Sequence, residues 1–143
     1  MRGSIAVLVC ALAARAAADP PSEGAAKAAA RAWMAAARAR DGAALARASA
    51  ASMRVEISDE YGCPVKTVAR SRRAIAQIAR RLGPCVPAVP DSGWIANAPM
   101  DDTRVVGFST TDLDRAELVA LTIDARGRVA AVRLSIFRGD DAD

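Results

Sequence analysis

The stretch LVALTIDARGRVAAVRLSIF, residues 118–137, decides the fold class. Alternating side chains predict two strands, Glu117 to Ile123 and Arg128 to Arg138, joined by Asp124-Ala125-Arg126-Gly127. That linker has the composition of a tight hairpin turn, with glycine where a positive φ is needed. In the second strand Ala130, Val132, Leu134 and Ile136 fall on one face, and Arg133 and Ser135 on the other. A half-buried sheet of this kind needs a second layer to cover its apolar face.

The covering layer is predicted at the other end of the domain. Residues 24–40 are rich in alanine and strongly helix-forming, with Ser22 or Asp19 as N-cap and Glu23 suited to the positive helix end. Ala26, Ala30, Trp33, Met34 and Ala37 share one face, and Lys27, Arg31 and Arg38 the other. Asp41-Gly42 breaks this helix, and Asp41 caps a second short one reaching about Ala48. From Ser52 to Ser58 the period changes to two: Met53, Val55 and Ile57 alternate with Arg54 and Glu56, a half-buried strand. After a loop from Asp59 to Pro64, a third helix is predicted from Val68 to Arg81, capped by Thr67, with Val68, Ser71, Ile75, Ile78 and Leu82 on its inner face and Gly83-Pro84 as its stop. Residues 84–103 read as an irregular, proline-rich stretch with Trp94 and Ile95 as anchors, followed by a strand from Arg104 to Ser109. The fold class is therefore α+β, with N-terminal helices packed on a curved antiparallel sheet.

Residues 1–18 have the composition of a cleavable export signal. Arg2 supplies the charge, Ile5 to Leu12 an apolar run too short to span a membrane, and Ala16-Ala17-Ala18 a small-residue cleavage site. Cys10 follows the bulky Val9, unlike the acylated cysteine of a lipoprotein signal. The predicted organisation is a signal peptide at 1–18, a linker at 19–23, one α+β domain at 24–138 and an acidic tail at 139–143. The exported chain would begin near Asp19, in the periplasm or outside the cell. Losing Arg2 and Arg15 lowers the net charge from +4 to +2, which argues against nucleic acid as a partner. Alanine supplies 36 of the 143 residues, so the core is thin and a covalent staple would help it.

Cys63 and Cys85 remain after signal removal, and an even count in an oxidising compartment reads as a disulfide. They bracket the predicted third helix. A helix from Val68 to Arg81 is roughly 20 Å long, and the flanking residues reach about 30 Å when extended, so the bridge is feasible if both flanks fold back. It would stabilise the fold by roughly 3 kcal/mol on a chain-entropy model. A zinc site is disfavoured, because the chain has no histidine and two cysteines do not fill a tetrahedral shell.

The segments RAWMAAARARDGAALARAS (31–49) and LVALTIDARGRVAAVRLSIF (118–137) resemble the paired N-terminal helices and closing hairpin of the nuclear transport factor 2-like superfamily. That superfamily includes polyketide-cyclase-like and ketosteroid-isomerase-like proteins. The likeness covers about a third of the chain after the signal; between the two segments the family has more strand pairing where this reading places a cysteine-bracketed helix. The pattern also suits an unrelated α+β domain with helices on one face of an antiparallel sheet. The resemblance implies a curved sheet wrapping the first helix into a cone, with Trp33, Met34 and Trp94 as candidate walls of an apolar pocket, or simply as core.

No catalytic constellation stands out. Chemistry in such a cone would resemble proton abstraction beside a carbonyl, which needs a base and an oxyanion donor. Without histidine the base would be a carboxylate. Asp59, Glu60 and Tyr61 read as a solvated turn; Asp101, Asp102, Asp112, Asp114 and Glu117 lack the spacing and mid-loop glycine of a calcium site. Arg70, Arg73, Gln77 and Arg80, with Arg72 and Arg81 beside them, form a polar helical stripe that reads first as a solvated face, and that could also meet an acidic partner, an anionic glycan or lipid headgroups. No catalytic, cofactor or metal residue is assigned, no cofactor is implied and no stable membrane anchor is expected. The expected function is a non-enzymatic module that binds a small apolar ligand or a protein partner, with an isomerase- or cyclase-like enzyme as the alternative.

Overall fold

Three side-chain caps start the three helices. The Ser22 Oγ accepts from the Ala25 N–H at 3.2 Å, Asp41 Oδ1 from Ala44 at 3.0 Å, and the Ser71 Oγ from Ala74 at 3.1 Å. They open α1 (Glu23–Arg38), α2 (Gly42–Ala48) and α3 (Arg72–Leu82). The computed structural model describes residues 18–59, 65–112 and 114–138. Arg40 ends α1 in the left-handed region, φ 55°, where its N–H donates to the Ala37 carbonyl and that of Asp41 to Ala36. This is the Schellman pattern with arginine in the place usually held by glycine.

The strands are β1 (Ser49–Asp59), β2 (Val65–Ala69), β3 (Ile95–Ala96), β4 (Arg104–Asp112), β5 (Arg115–Ile123) and β6 (Val129–Arg138), and a 3-10 turn at Gly83–Cys85 follows α3. They form one six-stranded sheet in the order β2-β1-β6-β5-β4-β3. The sheet is mixed and not antiparallel throughout: β1 runs parallel to β6, with Val55 opposite Val132 and Ile57 opposite Leu134. The β5–β6 hairpin is a local event, whereas the other edge of β6 is taken by a strand from the far end of the domain. The α+β class with helices on a curved sheet holds; its strand directions need this correction.

Three further expectations are revised. Residues 65–69 form a strand, and the third helix starts at Arg72. Val65 and Val68 suit a pleated edge, and pairing with β1 outweighs the helical spacing of Val68 and Ser71. Ile95 is no anchor: it is 63% exposed, opposite Gly107 on the outer face. Finally, Val129 takes the buried place expected of Ala130, because Ile123 pairs with Val129 and Thr122 with Ala131, which leaves Ala130 bulged. The hairpin turn is as expected, with Gly127 at φ 72° and Asp124 Oδ1 accepting from the N–H groups of Arg126 and Arg128 at 2.9 Å.

The core lies between α1 and the inner face of the sheet. Ala26, Ala30, Trp33, Met34 and Ala37 are all buried, as their spacing predicts, against Met53, Val55, Val106, Leu121, Val132 and Leu134 among others. α2 and α3 pack on each other at one end, and Gly42 permits this: a Cβ there would stand 2.7 Å from the Ala76 carbonyl oxygen. Cys85 is buried in the 3-10 turn, its Sγ 3.4 Å from the Arg81 carbonyl oxygen. Cys63, the expected partner of Cys85 in a bridge around α3, lies outside the described residues, as do the expected export signal up to residue 17 and the acidic tail.

Candidate functional site

Trp33 and Met34 line an apolar crevice between α1 and the sheet, with Val55, Val119, Val132 and Leu134 opposite them. Its cavity volume is about 10 Å³, at the lower limit for one water molecule. Among the described residues no acidic side chain lines it. The Trp33 indole N–H is satisfied inside, donating to the Ser49 Oγ at 3.0 Å and lying 3.2 Å from the Met53 Sδ. Ser49 in turn donates to the Leu45 carbonyl at 2.7 Å. Val86 and Pro87, both buried, also line the crevice, from a segment without helix or strand. Arg38 Nη1 holds that segment by donating to the Val86 carbonyl at 2.8 Å.

Trp94 sits elsewhere. Its ring meets Phe108 edge-on with centroids 4.8 Å apart, its N–H donates to the Pro90 carbonyl at 3.0 Å, and the Arg31 guanidinium lies 5.7 Å from the ring centroid. This cation–π stack, together with the bond from Arg31 Nη2 to the Asp91 carbonyl, fastens the irregular segment to α1.

The other polar candidates are dispersed. Glu117 pairs with Arg115 at 2.7 Å and accepts from the Thr110 hydroxyl at 3.4 Å. Asp101 occupies a positive-φ turn position, φ 54°. Glu60 and Tyr61 lie outside the described residues. Among the described residues no three side chains of the metal-binding types come together, and no helix is long and apolar enough to cross a membrane.

The outer face of the sheet, away from the helices, is a different surface. Leu118 is 51% and Phe137 55% exposed on neighbouring strands, and Ile95 stands at the β3 edge. Small residues floor the face between them, with Gly107 opposite Ala120. One open depression of about 190 Å³ is lined by Ile95, Val105, Gly107, Leu118 and Ala120. A second, of about 290 Å³, is lined by Arg54, Glu56, Thr122, Ala131 and Arg133. The sequence reading missed this surface, although strand parity already puts Leu118 and Phe137 on the face of Ala120 and Arg133.

No family model and no curated protein sequence matches the chain. Solved structures do match. The Anabaena (Nostoc) sp. PCC 7120 orange carotenoid protein, in a structure binding canthaxanthin, has a TM-score of 0.58 at 12% identity over 85% of this chain. The match spans only 38% of that protein's length. An NTF2-like protein from Burkholderia xenovorans LB400 has a TM-score of 0.55 at 15% identity, covering 80% of this chain and 91% of the other. A proposed calcium/calmodulin dependent protein kinase II association domain from Xanthomonas campestris has a TM-score of 0.51 at 15% identity, covering 89% and 99%. The chain thus has the nuclear transport factor 2-like fold that its two end segments resemble.

Proposed function

We propose that this protein is an exported, non-enzymatic association module that pairs with a second copy of itself through the outer face of its sheet. The observation that carries this reading is a contrast between the two faces. The inner crevice holds about 10 Å³, whereas the outer face exposes Ile95, Leu118 and Phe137 over a floor of small residues. Large exposed apolar side chains grouped on one face mark interaction surfaces. The same face carries both charge signs, in Arg54, Arg133 and Glu56, so a copy turned about a two-fold axis finds opposite charges as well as apolar surface. The similarity to a proposed association domain agrees with it.

Sedimentation equilibrium tests the proposal. The wild type should be a dimer, and Leu118→Glu, half-exposed in the monomer, should be a folded monomer with an unchanged circular dichroism spectrum. A wild type that stays monomeric at high concentration would sink the reading.

A second reading keeps the cone. The described residues that wall the crevice are apolar and include Val86 and Pro87 from the irregular segment, so displacing that segment would widen it for a small apolar ligand, as the neighbour in its canthaxanthin-bound structure holds one. Native mass spectrometry would reveal it as an added mass lost on denaturation. The isomerase-like alternative gains no support from the crevice, where no carboxylate stands among the described lining residues.

Export and a Cys63–Cys85 bridge complete the proposal, supported by the signal-like N-terminus and by the two cysteines that remain once Cys10 leaves with it. The chain recovered from the exported fraction should begin near Asp19 and be two hydrogens lighter than its reduced form. An intact Met1 would count against export, and a gain of mass on thiol alkylation without prior reduction would count against the bridge.

A further inference from the structure

Charge is segregated along this chain. Residues 61–90 contain six Lys and Arg and no Asp or Glu. Most of those cations lie on or beside α3, where Arg70, Arg72, Arg73, Arg80 and Arg81 are all exposed. The ion pairs among the described residues involve Arg104, Arg115 and Arg133, so none of these five is paired there. Arg40 adds to the cluster, its side-chain stem lying against Gly83 at the end of α3.

Two features separate this face from an ordinary solvated one. First, Arg72 and Arg73 occupy the first turn of α3, which has no acidic residue. A cation there faces the positive end of the helix dipole, so helix stability does not account for either residue. Second, the exposed side of α3 has no large apolar side chain; those on the surface are Val68, Ile95, Met100, Leu118 and Phe137. Protein partners usually need aromatic or aliphatic anchors at the centre of an interface. A surface of closely spaced phosphates needs only guanidinium groups, whose planar donors match phosphate oxygens in pairs.

We infer that the arginine face of α3 docks the protein reversibly on anionic phospholipid headgroups. Ile75, Ala79 and Leu82 are buried in the core, so the helix does not insert. Attachment is by charge alone and falls away as salt screens it. This face lies on the helical side of the sheet and is separate from the association surface proposed above.

The test is co-sedimentation of the full chain with vesicles of phosphatidylcholine, alone or mixed with phosphatidylglycerol. Binding is expected only to the mixed vesicles, and only at low salt. Removing surface cations weakens such binding by about fivefold each, so Arg73→Gln with Arg80→Gln should lose more than tenfold. Arg115→Gln, on the sheet, should bind like the wild type. Both exposed substitutions should leave the thermal transition in place, which separates lost binding from lost folding. Binding to both vesicle types alike, no binding to either, an unaffected double variant, or tighter binding to polyglutamate or duplex DNA would each overturn the inference.

Discussion

Truncating Trp33 to alanine is expected to destabilise the protein by about 4 kcal/mol, a large share of the 5–15 kcal/mol that typically holds a domain together. The indole is 1% exposed and sits where α1 crosses the sheet. Its removal opens a cavity in a crevice that now holds about 10 Å³. It also strips the Ser49 hydroxyl, buried at the start of β1, of the N–H it accepts from. Trp33→Phe keeps most of the ring and loses chiefly the hydrogen bond, so its cost should be nearer 1 kcal/mol. Urea unfolding of the two variants also separates the pocket from the core. A wall of a roomy, ligand-filled pocket would be cheap to truncate in the ligand-free protein. A cost for Trp33→Ala below about 1 kcal/mol would therefore favour the cone-pocket reading over the filled crevice.

Gly107→Ala is expected to be nearly as damaging, at roughly 3 kcal/mol. Gly107 pairs with Ala120 in the middle of the β4–β5 ladder, and the Val119 carbonyl oxygen stands where its Cβ would go. That oxygen belongs to backbone and cannot swing aside like a flexible side chain. The strands must part, and the ladder from Arg104 to Asp112 is the one that joins β3 to the rest of the sheet. Gly24→Ala provides the contrast. It adds the same methyl group in the first turn of α1, meets nothing within 4 Å, and should stabilise by about 0.5 kcal/mol through helix propensity. Thermal melts of both variants, run side by side, check the argument. Equal effects would mean that the close approach at Gly107 is not a constraint.

What could be read along the chain was whatever neighbouring residues settle among themselves. The caps at Ser22 and Asp41, the buried stripe of α1, the alternation of Met53, Val55 and Ile57, and the turn before Gly127 all depend on contacts a few residues apart. The errors share the opposite property. Val68 has a place in a helical period and a place in a strand, and only β1 alongside it decides between them. Ala130 and Val129 could exchange faces until Ile123 fixed the register. The parallel pairing of β1 with β6 joins residues 77 positions apart, as Val55 and Val132 are, and no local pattern encodes it.

The candidate sites divide along the same line. Trp33 and Met34 were visible as large apolar groups on one helix face, and the arginines of α3 as a stripe. Whether the tryptophan bounds a cavity or fills one depended on how α1, the sheet and the 86–87 segment pack around it, and that segment comes from a proline-rich stretch with no period of its own. The outer face emerged only when β3, β4, β5 and β6 were laid side by side, bringing Ile95, Leu118 and Phe137 together from separate parts of the chain. Most of the helices and strands, the buried stripe of α1 and the distribution of charge are thus legible along the chain, because backbone hydrogen bonding and side-chain periodicity act over one or two turns. Tertiary structure alone decided strand order, the fit of the crevice and the exposed apolar face, because burial is a property of what packs against a residue.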